Sequence, residues 1–195
     1  MKAVYIEAHG GTEVLTYGER PEPVIQPHEV KIRVRACALN RLDIFTRMGT
    51  RGMRRDFPPH LILGGDAAGD ITEVGYLVRN ASVGDRVVVN PLLSCGQCFY
   101  CLRGEDEHCP DKGMLGAVMD GGYAEFTKVP GINVYPIPEQ LAYEEAAALP
   151  TVFLPMWNML VRKAKLKAWE TALVLSASSG VGTAAIQVAR NVVGA

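Results

Sequence analysis

The sequence predicts a mainly β chain that passes into α/β. Residues 1–138 read as a small, partly open β-barrel, and residues 139–195 as the opening of an α/β unit. Three observations carry this. Short apolar runs recur through the first two thirds, punctuated by Gly and Pro. At Pro138 the character changes, and Glu144 to Leu149 reads EEAAAL, a strong helix former. Near the end an apolar run, a small-residue turn and a helix-period stripe follow one another without a break.

In chain order, Lys2–Ile6 and Val14–Tyr17 are expected strands, separated by the turn signal His9-Gly10-Gly11. Pro21, Pro23 and Pro27 mark an extended connection. Val30, Ile32, Val34 and Ala36 then alternate with Lys31, Arg33, Arg35 and Cys37, which predicts a half-buried strand with Cys37 on its polar side. Asn40 is a fair N-cap for a short helix over 40–48, in which Leu42, Phe45 and Thr46 share a face. Arg47, Arg51, Arg54 and Arg55 follow as a loop ending at Pro58-Pro59. Such a run reads as a solvated face; the rival reading, anion or nucleic-acid binding, lacks the interleaved aromatics on which bases stack.

The glycine-rich stretch from Leu61 to Gly69 leads into a strand over Asp70–Val74, and Val83 to Val89 is a turn into another. Gly121-Gly122 opens Tyr123–Val129, and Val134–Ile137 closes the β series. Beyond Pro138, Thr151–Lys163 keeps a helical pattern across Pro155, so the helix either begins near that proline or kinks at it. Thr171–Ser176 is an expected strand. Val181, Ala184, Ala185, Val188, Ala189 and Val192 put one apolar stripe on the last helix.

The net charge of −1 favours neither nucleic acid nor a membrane surface as a partner. No apolar run reaches transmembrane length, and the N-terminal segment MKAVYIEAHGG has no apolar core for secretion. The expected setting is cytoplasmic, with reduced thiols.

Four of the five cysteines fall in one loop, residues 95–109, as Cys95-x2-Cys98-x2-Cys101-x7-Cys109. Thiolates this close repel one another unless a cation joins them, and zinc takes four sulfurs tetrahedrally. The expected site is a single structural zinc held by Cys95, Cys98, Cys101 and Cys109, with no position left for water or substrate. The rivals are an iron–sulfur cluster and disulfides. Pro110 after Cys109 fits a ferredoxin run, but the last gap is seven residues rather than three, and disulfides need an oxidising compartment.

The turn from Ala177 to Gly182 sits where a dinucleotide's pyrophosphate is bound, since a helix N-terminus offers unpaired N–H groups and positive dipole. Of the G-x-G-x-x-G fingerprint only Gly182 is literal, with Ala177 and Ser179 at the other two positions and Gly180 between. An ordinary strand–helix turn is the competing reading. Only one β-α pair follows, so the acidic residue that would separate NAD from NADP has no place here.

Several motifs together resemble the medium-chain dehydrogenase/reductase superfamily over nearly the whole chain. They are Lys2-Ala3-Val4, Asn40-x-x-Asp43, Gly64-x-Asp66-x-Ala68-Gly69, Val83-Gly84-Asp85-Arg86-Val87, the cysteine loop, Gly121-Gly122-Tyr123-Ala124-Glu125, Glu145 to Pro150, and Ser179-Gly180-Val181-Gly182. The resemblance implies a GroES-like barrel followed by a Rossmann coenzyme domain, here incomplete, with zinc bracing the cysteine lobe. It also implies a departure from the zinc alcohol dehydrogenases. Asn40 stands where their first metal-binding Cys would be, and Gly65 where their His would be. Thr151 offers no thiol for the third place, and Leu42 replaces the proton-relay hydroxyl. A substitute site from Cys37, His60 and Asp66 has no spacing logic. The pattern is closer to the quinone oxidoreductases, although those commonly lack the cysteine loop.

What the resemblance implies is an NAD(P)H-dependent oxidoreductase that passes hydride to a quinone, enone or carbonyl without catalytic zinc. Asn40 and Asp43 would line the pocket for a small-molecule substrate, against a plain helix-capping role. Ser179, Gly180, Val181 and Gly182 would face the pyrophosphate of NADP or NAD. Two other readings stand beside it. The chain is a truncated zinc-binding remnant or interaction module without turnover, or two chains form a homo-oligomer through their unpaired βα units.

Overall fold

The computed structural model describes residues 1–54 and 56–195; Arg55 of the basic run lies outside them. The chain divides into two compact units, Met1–Ala147 and Ala148–Ala195. Among the described residues the strands are β1 (Lys2–Ile6), β2 (Thr16–Glu19), β3 (Glu29–Ala38), β4 (Leu61–Ile62), β5 (Asp66–Val74), β6 (Arg86–Val89), β7 (Leu92–Leu93), β8 (Gly113–Met114), β9 (Phe126–Pro130) and β10 (Val134–Pro136). The α-helices are α1 (Arg41–Met48), α2 (Tyr143–Ala147), α3 (Pro150–Met156) and α4 (Gly180–Gln187). Among the described residues no helix is long and apolar enough to cross a membrane.

The first unit carries three sheets among the described residues. Its main sheet runs β10-β6-β5-β3-β9, a second sheet β2-β1-β4, and β7 pairs with β8. Every ladder is antiparallel. Val30, Ile32, Ile71, Val87, Val89 and Val129 are buried together on one face of the main sheet. Ala68, Ile137, Ala146 and Ala147 form a smaller core where α2 lies over the opposite face. The strand expected at Val14–Tyr17 begins later, because Thr12–Val14 winds into a 3₁₀ turn first. The strand expected from Asp70 begins at Asp66.

One sequence expectation about β3 is overturned. Cys37 does not lie on the polar side; it packs against the main core. The reason is a bulge. Val34 pairs with Gly69 and Ala36 with Ala68, so Arg35 is an extra residue that shifts the alternation by one. Upstream of it Val30 and Ile32 face the main core, and downstream Cys37 does. Ala36 and Ala38 turn instead to the α2 side.

In the second unit, Met156, Ala184 and Ala185 are buried with Val152, Phe153, Leu160 and Val174 around them. Of the two alternatives for Pro155, a helix that begins there does not hold. The helix starts earlier, with Pro150 in its first turn, and passes through Pro155. Proline gives no N–H to the ladder, and from Trp157 to Lys163 the winding widens to a π-helix, with Ala164 N–H donating to Met159 O at 2.8 Å. Thr171–Ser176 is not a strand: residues 171–174 are irregular and 175–178 form a turn. A strand exists only through a neighbour that exchanges backbone hydrogen bonds with it, and no described residue supplies one. Leu173 and Leu175 are accordingly 87% and 80% exposed. On α4 and the π-turn after it, Ala184, Ala185, Val188 and Ala189 are buried as the stripe predicts, while Val181 and Val192 at its ends are exposed.

Candidate functional site

The cysteine loop is tied at its base by the β7–β8 pair, Leu92 to Met114 and Leu93 to Gly113. Within it, Cys101–Arg103 and Asp106–His108 are 3₁₀ turns. Backbone N–H groups of the loop point at sulfur. Cys95 N donates to Cys109 Sγ at 3.4 Å, Cys98 N to Cys95 Sγ at 3.3 Å and Cys101 N to Cys98 Sγ at 3.5 Å. Such bonds favour thiolates. The amides of Gln97 and Cys98 bring the Cys95 thiol down to about 7, while desolvation and the neighbouring Cys98 push Cys101 up to about 12.

All four sulfurs lie within 4.8 Å of one another, Cys109 being buried and the others half-buried. Cys98–Cys101 and Cys95–Cys101 are separated by 3.4 and 3.9 Å. A tetrahedron with metal–sulfur bonds of ~2.3 Å has edges of about 3.8 Å, so the sulfur set fits a zinc ion. All five cysteines are free thiols. This is also the only grouping of three or more His, Cys, Asp or Glu ligands among the described residues, and Cys37, His60 and Asp66 do not assemble into another. His60 instead pairs with Glu7 and meets the edge of Tyr5.

The first unit also holds a cavity of about 280 Å³ at helix α1. Asn40 caps this helix, and Asn40, Asp43, Ile44 and Arg47 fall at i, i+3, i+4 and i+7, one face of it. All four line the cavity, together with Arg41. Leu15, Leu39 and Leu63 make its apolar wall, and Tyr123 closes it from the strand side.

Beneath Asn40 the polar groups interlock. The Asn40 side-chain amide donates to Asp66 Oδ2 at 2.9 Å, and its backbone N–H donates to Asp43 Oδ2 at 2.7 Å. Asp66 is fully buried. Burial pushes the Asp43 carboxyl above the usual range, opposed by the Asn40 amide, the Tyr123 hydroxyl and the amides of Gly65 and Gly64. Burial pushes the Cys37 thiol and the Tyr123 phenol up as well, with Asp43 the next cause in each case. The Tyr123 hydroxyl lies by Asp43 but makes no well-angled hydrogen bond. Its ring sits on Gly64, where a Cβ would come within 2.5 Å of it; with φ at +98°, this position needs glycine twice over.

Asn40 and Asp43, expected as pocket residues, are thus both at the cavity, and Asn40 also caps the helix. Arg47 was expected in a solvated loop. It belongs to the last turn of α1, half-buried, with its Nε buried. Counting seven residues on from Asn40 would have found it. Tyr123 had no such local signal, because it reaches the cavity through tertiary pairing of its backbone N–H with Leu63 O at 2.9 Å.

In the second unit the expected nucleotide turn is compact. Ser179 Oγ donates to Ser176 O at 2.9 Å and accepts from Gly182 N at 3.0 Å. Its hydroxyl is therefore spent on capping α4. Helix geometry leaves the first amides, those of Gly180 and Val181, without intrahelical acceptors. A Cβ at Gly182 would stand 2.3 Å from Ser176 O, so the turn closes on its helix only with glycine there. Small residues and unpaired amides at a helix start fit a pyrophosphate.

Residues 26–139 match the alcohol dehydrogenase GroES-like domain. An acryloyl-coenzyme A reductase of Metallosphaera sedula is 34% identical over 97% of this chain and 55% of its own length. A quinone oxidoreductase of Lama guanicoe is 33% identical, over 97% of this chain and 49% of its own. Among solved structures, an NAD-dependent alcohol dehydrogenase superposes with a TM-score of 0.93 at 43% identity, over 99% of this chain and 56% of that one. A cobalt- and zinc-bound thermostable alcohol dehydrogenase from Pyrobaculum aerophilum gives 0.90 at 35%, over 99% and 57%. The chain spans about half the length of these relatives.

Proposed function

The chain belongs to the medium-chain dehydrogenase/reductase superfamily, and from that premise we infer an NAD(P)H-dependent reduction of a conjugated carbonyl, a quinone or an enone, without catalytic zinc. The observation that carries the reading is the floor of the cavity. There an asparagine amide bonded to a buried carboxylate, Asn40 to Asp66, occupies the place that the resemblance gives to a ligating thiolate. The relatives' printed activities, an alcohol dehydrogenase, an acryloyl-coenzyme A reductase and a quinone oxidoreductase, bracket this chemistry.

The reduced nicotinamide would supply the hydride. A conjugated acceptor spreads the incoming charge over its π system, so it needs no Lewis acid, whereas an alkoxide would. On the chain's side, Asn40 and Asp43 would line the substrate cavity, with Leu15, Leu39 and Leu63 as its apolar wall. Gly180, Val181 and Gly182 would hold the pyrophosphate through backbone amides. Cys95, Cys98, Cys101 and Cys109 would hold one structural zinc, which joins the loop and takes no part in the reaction.

The test is an assay of NADH and NADPH oxidation with a quinone, an enone and a primary alcohol or its aldehyde, beside metal analysis. Quinone or enone turnover with one zinc per chain supports the reading; alcohol oxidation with two zincs per chain overturns it. The second reading, a zinc-binding module without turnover, rests on the four-cysteine set alone. It predicts no dinucleotide binding by the 195-residue chain.

A further inference from the structure

We propose that the α1 side of the cavity is an anion subsite, so that the molecule bound there carries a carboxylate close to its conjugated carbonyl. The proposal rests on the reading of the cavity as a substrate site. Its centre is Arg47. This side chain lines the cavity, and its Nε is buried with no hydrogen-bond partner. The Nε itself is enclosed by the protein, so the outer nitrogens of the half-buried guanidinium are the ones an acceptor in the cavity would meet. Among the described residues, no carboxylate lies within 4.0 Å of the Arg47 or Arg41 guanidinium.

The two acids in the neighbourhood are turned to other donors. Asp43 shares the cavity, but its carboxylate takes the Asn40 N–H and the amides of Gly64 and Gly65. Glu13 feels the charge of Arg47, and its Oε1 accepts from Gly11 N at 2.7 Å. Neither acid forms an ion pair with the guanidinium. Its planar fork matches a carboxylate or phosphate in two parallel hydrogen bonds. The buried Leu63 lines the same cavity, whereas Leu39 is 85% exposed and leaves that side open to water. A volume of about 280 Å³ takes a small acid and is at the lower end for ligand pockets. A dinucleotide phosphate offers the same chemistry, and the experiment separates the two sources.

The 195-residue chain is titrated calorimetrically, at low salt, with a 4-oxo-2-alkenoic acid, with its methyl ester and with NADH. The same three titrations follow on Arg47→Gln and Arg47→Lys. The acid is expected to bind roughly tenfold or more tighter than the ester, as a charge-assisted bidentate pair should. Arg47→Gln should erase that difference and leave the ester unchanged, which also reports that the variant is folded. Arg47→Lys should keep part of it, since the charge stays and the fork is lost. Equal binding of acid and ester by the native chain overturns the anion subsite and leaves the cavity reading standing. Binding of neither overturns the cavity reading itself and the subsite with it. A loss confined to NADH in Arg47→Gln assigns the anion to the dinucleotide and overturns the substrate assignment.

Discussion

The side-chain amide of Asn40 donates to the carboxylate of Asp66 at 2.9 Å, joining the cap of α1 to the start of β5. Removing it with Asn40→Ala takes one donor from a fully buried charge. Urea unfolding is expected to show a loss of about 1.5–3 kcal/mol, as for hydrogen bonds to charged groups. Asn40→Asp should cost more above about pH 5 than below it, because two facing carboxylates cannot both ionise cheaply. Equal stability of both variants and the native chain would show that the pair is incidental.

The zinc assignment predicts a colourless protein with one zinc per chain. Cys98→Ser, or a strong chelator, should loosen the loop from Leu93 to Gly113, with a fall in Tm of about 4–8 °C for a loss of roughly 2 kcal/mol. Metal analysis and a visible spectrum check it; brown colour with iron in the sample would revive the cluster reading.

At Gly64 an added Cβ meets the Tyr123 ring at 2.5 Å on a backbone with φ of +98°. Gly64→Ala is therefore expected to destabilise by about 1–3 kcal/mol and to displace the ring from the cavity. Thermal unfolding gives the first quantity. Tyrosine fluorescence quenching by a bound quinone gives the second.

Asp70 provides a pH signature. Burial alone would raise its pKa, but the Tyr143 hydroxyl and the Arg35 guanidinium, paired with it at 2.7 Å, hold it below the usual range. Its stabilising contribution is complete above the unfolded value of about 3.9 and disappears as the pH falls through the lower folded value. Asp70→Asn should flatten the stability profile in that acid window, by about 1 kcal/mol for a partly exposed pair. Unfolding curves between pH 2 and 6 measure it; parallel profiles for the two proteins would refute it.

The metal loop was legible in the sequence because its ligands are close in the chain, so spacing alone carries the geometry. The cap at Asn40 and the stripe on α4 were legible for the same reason. Three features were not. Cys37 faces the core because of one extra residue, Arg35, whose bulge depends on the pairing with β5. Arg47 fell within the expected helix over 40–48 yet was grouped with the basic run after it, because charge patterning does not say which helix face a residue takes. Thr171–Ser176 has a strand's composition, yet composition supplies no partner, and residues 171–174 are irregular.

The bulge at Arg35 makes the cavity a matter of counting. Helix α1 starts three residues after β3 ends, so the phase in which the strand finishes fixes the direction in which the helix face points. Deleting one residue at position 35 would keep every chemical group of the cavity and rotate the whole set. Asn40, Asp43 and Arg47 would then leave their places together, as figures on one dial. Through this segment the chain should accept changes of residue type far more readily than changes of length.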